Sequence, residues 1–186
     1  MENNELALIY ACQRGEAEAF GQVYEKYFKK IYSFVYYRTS HKESTEDLVS
    51  LIFSKALENI NKFQSSKGSF SSWLYKIARN TVIDYYRGHK NIQNLDDIED
   101  LSDFSDISDN MDRKKALSDI QNKLAQLSSN QREIVIMRVW EDLSYKEIAE
   151  IVGKSEANCK MIFSRGIKEL RLSLASLIYL VMMLID

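Results

Sequence analysis

For most of its length the chain repeats apolar residues at steps of three and four, the period of helices buried along one face. Between positions 17 and 38, Phe20, Val23, Tyr24, Tyr27, Ile31, Phe34 and Val35 form one sustained stripe. The same period predicts a helix over 6–14 that stops at Gly15, and another over 44–63. Ser44 is the expected cap of the latter, with Leu48, Ile52, Ala56 and Ile60 as its apolar face. A polar loop at 64–68 precedes a helix from 69 to about 87. After a break, helices are expected over 113–127 and 129–140, with Ile134, Val135, Met137 and Val139 as core candidates. The fold class expected is all-α, with two small helical domains, 1–90 and 113–186, joined by an acidic linker at 91–112.

The stretch from Leu143 to Leu170 has the register of a helix-turn-helix. Ser144 can cap a short helix, and Glu147, three residues on, can complete a capping box. Ile148, Ala149 and Val152 supply its apolar stripe, and Gly153 tolerates the positive φ of the turn. Ser155 caps a second helix whose buried face reads Cys159, Ile162, Phe163 and Ile167. The other face carries Ser155, Glu156, Asn158, Lys160, Met161, Ser164, Arg165 and Lys168. Those side chains suit phosphates and base edges in a DNA major groove.

Composition narrows the picture without deciding it. Among 186 residues there is no proline and only six glycines, which argues against a turn-rich β fold. Cys12 and Cys159 fall in helical patterns and read as buried thiols packed in a reducing cytoplasm. The first fifteen residues lack a basic segment followed by a long apolar one, so no signal peptide is expected. The net charge of −2 conceals eight acidic residues between Lys90 and Arg113 and no basic one. Without those eight, 25 basic residues face 19 acidic ones, so the flanking segments are mildly basic. Within the acidic stretch, Leu95, Ile98, Leu101, Phe104 and Ile107 recur every three residues, but its acid and Ser content favours an extended linker. No nucleophile set, phosphate-binding loop or metal spacing points to catalysis or to a cofactor. The apolar end, 174–185, is too short to span a bilayer, which needs about 20 residues. Packing back on the second domain, on a membrane surface or on another chain is expected of it.

In the first segment, Asp47-Leu48-Val49 and Phe53 precede Gly68-Ser69-Phe70-Ser71-Ser72-Trp73-Leu74, Ile77-Ala78-Arg79-Asn80, Asp84 and Arg87. These residues resemble region two of bacterial sigma factors of the extracytoplasmic-function group, within the sigma-70 family. Gln131-Arg132-Glu133 and Leu143-Ser144-Tyr145, with Glu147-Ile148-Ala149, resemble their region four. The resemblance spans about 5–90 and 113–172. It implies a transcription initiation factor that binds core RNA polymerase, directs it to promoters and assists melting, with no catalysis and no small-molecule substrate of its own. It implies contact with the duplex minus-thirty-five element through 155–168, and a cytoplasmic location. An anti-sigma factor is a further partner it suggests, and it places the acidic linker near the polymerase's active-site and RNA-exit channels.

For the minus-ten element, the mixture of aromatic side chains and cations that catches unstacked bases is offered by Lys62, Phe63, Lys67, Phe70, Lys76, Arg79, Asn80, Asp84 and Arg87. Tyr85 and Tyr86 lie beside them. Trp73 sits at core spacing, which makes the loop residues the better stacking candidates. Core polymerase docking is implied for Asp47, Leu48, Leu51, Ile52 and Lys55. Ser50 and Leu51 stand where the family usually has Gln and an acid, and Asn158-Cys159 replaces its common Thr-Val. Gly166 inside the second helix allows close approach to a phosphate backbone or is simply tolerated. Two other functions fit the helices alone: a repressor or activator working without polymerase, and a helical adaptor with no DNA role.

Overall fold

The computed structural model describes residues 2–89 and 111–183, with side-chain surroundings for 4–88 and 119–171. The acidic linker's spacing and the side chains of the apolar end fall outside those residues. Among the described residues there are eight α-helices and no strand. They are α1 (Glu2–Gln13), α2 (Ala17–Thr39), α3 (Lys42–Asn59), α4 (Phe70–His89), α5 (Met111–Gln126), α6 (Ser129–Val139), α7 (Tyr145–Val152) and α8 (Glu156–Met183). They form two compact units, the first from α1–α4 and the second principally from α5–α8.

In the first unit α2 packs against α1, α3 and α4, and α3 also packs on α4. Of the stripe expected along α2, Val23, Tyr27, Ile31, Phe34 and Val35 are buried, Phe20 is half-buried, and Tyr24 is exposed at 39%. Val49, Ile52 and Ala56 from α3 meet Leu74, Tyr75, Ala78 and Val82 from α4 in the same core. The Phe34 and Tyr75 rings meet edge to face at 5.4 Å, the arrangement aromatic quadrupoles prefer.

The start of α3 differs from expectation. Its cap is His41, not Ser44: His41 is extended, and its Nδ1 accepts the Ser44 backbone N–H at 3.2 Å. Ser44, one turn in, instead bonds the Tyr85 hydroxyl of α4 at 3.0 Å. At the other end α3 stops at Asn59 and tightens into a 3₁₀ turn, Ile60–Lys62. Gln13 at the end of α1 donates from Nε2 to the carbonyls of Ile60 at 2.9 Å and Phe63 at 3.0 Å. The Ile60 carbonyl also accepts the Phe63 N–H at 3.1 Å, so Gln13 fastens this turn to α1 and the chain runs on into the polar loop.

In the second unit α6 packs on α8, and α5 also touches α8. The Gln131-Arg132-Glu133 triplet is scaffolding. Gln131 closes a capping box with Ser128 and donates to Glu169 of α8 at 2.9 Å. Arg132 donates to the carbonyls of Leu124 at 2.7 Å and Ala125 at 2.8 Å, closing the end of α5. Cations suit that end of a helix, where carbonyls concentrate negative potential. Glu133, Ile134, Val135, Ile136 and Met137 are all buried in sequence, so α6 is covered nearly all round. Val139, expected in the core, is 51% exposed at the helix end, and Ile136 is the apolar core residue that spacing missed.

Gly166 has a packing role that neither sequence reading anticipated. A Cβ there would lie 3.1 Å from Val135 Cγ2 and 3.4 Å from Gln131 Cβ. The residue is buried against α6, so the missing side chain lets two helices approach one another; it does not face a phosphate backbone.

Candidate nucleic-acid interface

Local chemistry builds the helix-turn-helix as its sequence dictates. Glu147 Oε2 accepts the Ser144 backbone N–H at 2.9 Å and its hydroxyl at 2.8 Å, while the Glu147 N–H donates to Ser144 Oγ at 3.2 Å. Gly153 takes φ +69 at the turn. The Ser155 hydroxyl then accepts the Asn158 N–H at 3.2 Å to start α8. Ile148 and Ile151 are buried and Val152 only half-buried, which shifts the α7 stripe by one position.

On α8, Cys159 is fully buried and Ile162, Phe163 and Ile167 are half-buried. Burial also pushes the Cys159 thiol above its ordinary value, as expected of a packing residue and not of a reactive one. Ser155, Glu156, Lys160, Met161, Ser164, Arg165 and Lys168 are exposed, and Asn158 is half-buried. The polar set therefore occupies one outward face, with Met161 (45% exposed) as its apolar element.

The second candidate surface lies on the first unit and departs from expectation. Lys76, Asn80, Asp84 and Arg87 are exposed, three or four residues apart along α4, and Arg79 is half-buried beside them. Lys62 and Lys67 are exposed on the 3₁₀ turns. Phe63 and Phe70, by contrast, are only 5% and 1% exposed, which corrects their expected role as stacking platforms. Their rings meet edge to face at 5.4 Å, and both lie under Trp73, at 5.8 Å and 5.4 Å. Trp73 is the half-buried member of that cluster. A buried ring cannot offer its face to a base, so these phenylalanines support Trp73 and the loop. Tyr85 and Tyr86 brace the scaffold as well, Tyr86 donating its hydroxyl to the Arg38 carbonyl at 2.6 Å. Gln13, which spacing did not single out, positions this loop from α1; its only sequence signal is an amide at a helix end.

The third surface is the outer side of α3. Leu48 and Ile52, expected at a docking interface, are buried at 5% and 0%. They belong to the apolar stripe on which the helix packs, so they cannot touch a partner. Phe53 is buried too. Asp47 and Leu51 are exposed, Leu51 at 45%, and Leu57 adds a second exposed apolar side chain at 50%. Lys55 is half-buried and donates to Thr81 Oγ1 of α4 at 3.2 Å.

The family model for Sigma-70 region 2 matches residues 23–92, and that for Sigma-70, region 4 matches residues 117–170. The ECF RNA polymerase sigma factor SigW of Bacillus subtilis is 30% identical over 91% of this chain and 96% of its own length. The chain is a sigma factor of the extracytoplasmic-function group of the sigma-70 family. The ECF RNA polymerase sigma factor BldN of Streptomyces coelicolor is 31% identical over 89% of this chain, which spans 64% of that protein's length. Among solved structures, CnrH in complex with the cytosolic domain of CnrY shares the fold, with a TM-score of 0.74 at 19% identity, covering 91% of this chain and 96% of that one. Sigma factors direct core RNA polymerase to promoters, so membership sets aside the independent repressor and the adaptor. Polymerase and promoter DNA are the partners of this sigma factor. Among the described residues, no helix is long and apolar enough to cross a membrane.

Proposed function

We propose that this sigma factor divides promoter recognition between its two units. In the second, α8 enters the major groove of the minus-thirty-five duplex, with Arg165 on a base edge or adjacent phosphate and Lys160 and Lys168 on phosphates. Ser155, Glu156, Asn158, Met161 and Ser164 complete that face. In the first, Lys62, Lys67, Lys76, Arg79, Asn80, Asp84 and Arg87 line the path of the melted minus-ten strand, with Trp73 as the accessible aromatic surface. The outer side of α3, carrying Asp47, Leu51 and Lys55, docks on core polymerase, and Leu57 widens it. Domain limits of 1–90 and 113–186, with the linker at 91–112, accompany this reading. The protein acts in the cytoplasm, performs no chemistry of its own, and is held in check by an anti-sigma partner.

The observation that carries the reading is the sorting of α8. Cys159 and Gly166 are buried on one side, while Lys160, Met161, Ser164, Arg165 and Lys168 are exposed. A helix that served only the core would have no reason to gather groove-reading chemistry on one face. Run-off transcription with purified core polymerase tests it. Specific transcripts should appear only with the sigma factor present, and Arg165→Ala should reduce them at a cognate promoter while co-purification with core polymerase is retained. Undiminished transcription from Arg165→Ala, Lys160→Ala and Lys168→Ala alike would remove α8 as the reading helix.

A further inference from the structure

Tyr145 opens α7, and two cations lie against its ring. The Lys160 Nζ sits 5.6 Å from the ring centroid and the Arg138 guanidinium carbon 5.4 Å, both within the range of a cation–π contact. Phe163 meets the same ring edge-on at 5.9 Å, which fixes its plane from the α8 side. Arg138 is fixed in turn, since Nη1 donates to Asp142 Oδ1 and to the Leu143 carbonyl, each at 3.2 Å. Asp142 is almost wholly solvent-exposed, so it screens Arg138 weakly. Lys160 is exposed, and no hydrogen bond or ion pair of its own holds it among the described residues. Lys160, held by nothing else among the described residues, thus lies against an aromatic ring whose surroundings Arg138 and Phe163 fix.

We infer that Tyr145 is a positioning residue for DNA binding, its ring holding the Lys160 ammonium ready for a backbone phosphate of the duplex. The inference rests on α8 being the minus-thirty-five reading helix. A lysine is a flexible point charge, and ordering it on a ring before DNA arrives removes part of the entropic cost of the contact. The π face performs this work, so the hydroxyl is dispensable. Tyr145 touches no base, and its effect falls equally on all sequences.

The test measures affinity of the full-length chain, bound to core polymerase, for a cognate promoter fragment across a salt series. Tyr145→Leu keeps an apolar contact with Phe163 but has no ring. It should bind about twofold to fivefold more weakly at moderate salt, as loss of an exposed cation–π hold implies. Its plot of log affinity against log salt should flatten by about 0.9, the loss of one phosphate contact. Tyr145→Phe should match the wild type in both respects, and adding Lys160→Ala to Tyr145→Leu should cost less than Lys160→Ala alone. Tyr145→Met serves if Tyr145→Leu melts at a lower temperature than the wild type. A wild-type slope in the ring-less variants while Lys160→Ala still flattens it would overturn the positioning role alone. Equal loss in Tyr145→Phe and Tyr145→Leu would assign the effect to the hydroxyl and overturn it too. An unchanged slope in Lys160→Ala itself would sink the reading of α8 along with it.

Discussion

The two surfaces proposed to face DNA were legible to different degrees, and the contrast lies in their side chains. On α8 the candidates, Met161 apart, are charged, hydroxyl or amide side chains, which have no stable place in a core. Helical spacing therefore sorted them cleanly, with Cys159 going in and Arg165 staying out. Around the polar loop and α4 the candidates include phenylalanines, which serve a core and a stacking platform equally well. Phe63 and Phe70 went to the core, although loop position had suggested otherwise. Polar chemistry reveals its face through periodicity; aromatic chemistry does not until neighbouring rings are placed.

The sharpest way to break that contrast is Phe70→Ala. Phe70 packs on Tyr27 at 5.6 Å as well as on Phe63 and Trp73. Removing a buried ring of this kind costs roughly 3–5 kcal/mol, so denaturant unfolding should show a large loss. A stable variant impaired only in promoter opening would mean that Phe70 stacks on bases after all. Next in size is Gly166→Val, where branched bulk must enter the contact with Val135 and Gln131. Overpacking of about 1–3 kcal/mol is expected, read as a lowered melting temperature, with DNA contacts untouched by position. A neutral effect on stability with weakened DNA binding would restore the phosphate-approach reading.

His41→Ala should cost about 1 kcal/mol by removing the cap of α3, and His41→Asp should restore it, both measured by thermal melting. The smallest effect concerns Glu5, which accepts from Lys26 Nζ and the Tyr27 hydroxyl, each at 2.6 Å. Burial pushes its carboxyl up, but those donors outweigh burial and hold it below the ordinary value. A carboxyl depressed on folding stabilises fully above its unfolded pKa and loses that contribution as pH falls through the folded one. Stability should therefore decline more steeply below the ordinary carboxylate range in the wild type than in Glu5→Gln, as acid titration of unfolding would show.

Much of the fold could be read because the helices are long and one-sided. The α2 stripe placed its element within one residue of the observed end at Thr39. What escaped has physical reasons. Five consecutive buried residues in α6 leave no period to read, which hid Ile136 and misplaced Val139. Histidine caps helices less often than serine, so Ser44 drew the expectation that His41 fulfils. Leu48 and Ile52 were assigned by resemblance to a docking surface and by spacing to an apolar face; packing chose the second. Gln13 and Gly166 act through partners distant in sequence, and no local pattern marks such contacts.

The most direct test of the central claim is a base-by-base measurement of minus-thirty-five discrimination by the polymerase holoenzyme, wild type against Arg165→Ala. Arg165 on a base edge predicts relaxed preference at one base pair, with about 1–3 kcal/mol of discrimination lost there and the other positions unchanged. Lys160→Ala, measured alongside, should lower affinity uniformly and flatten the salt dependence. Unaltered preference at every position in Arg165→Ala, with affinity and salt dependence also unaltered in Lys160→Ala, would contradict the assignment of α8 as the helix that reads the promoter.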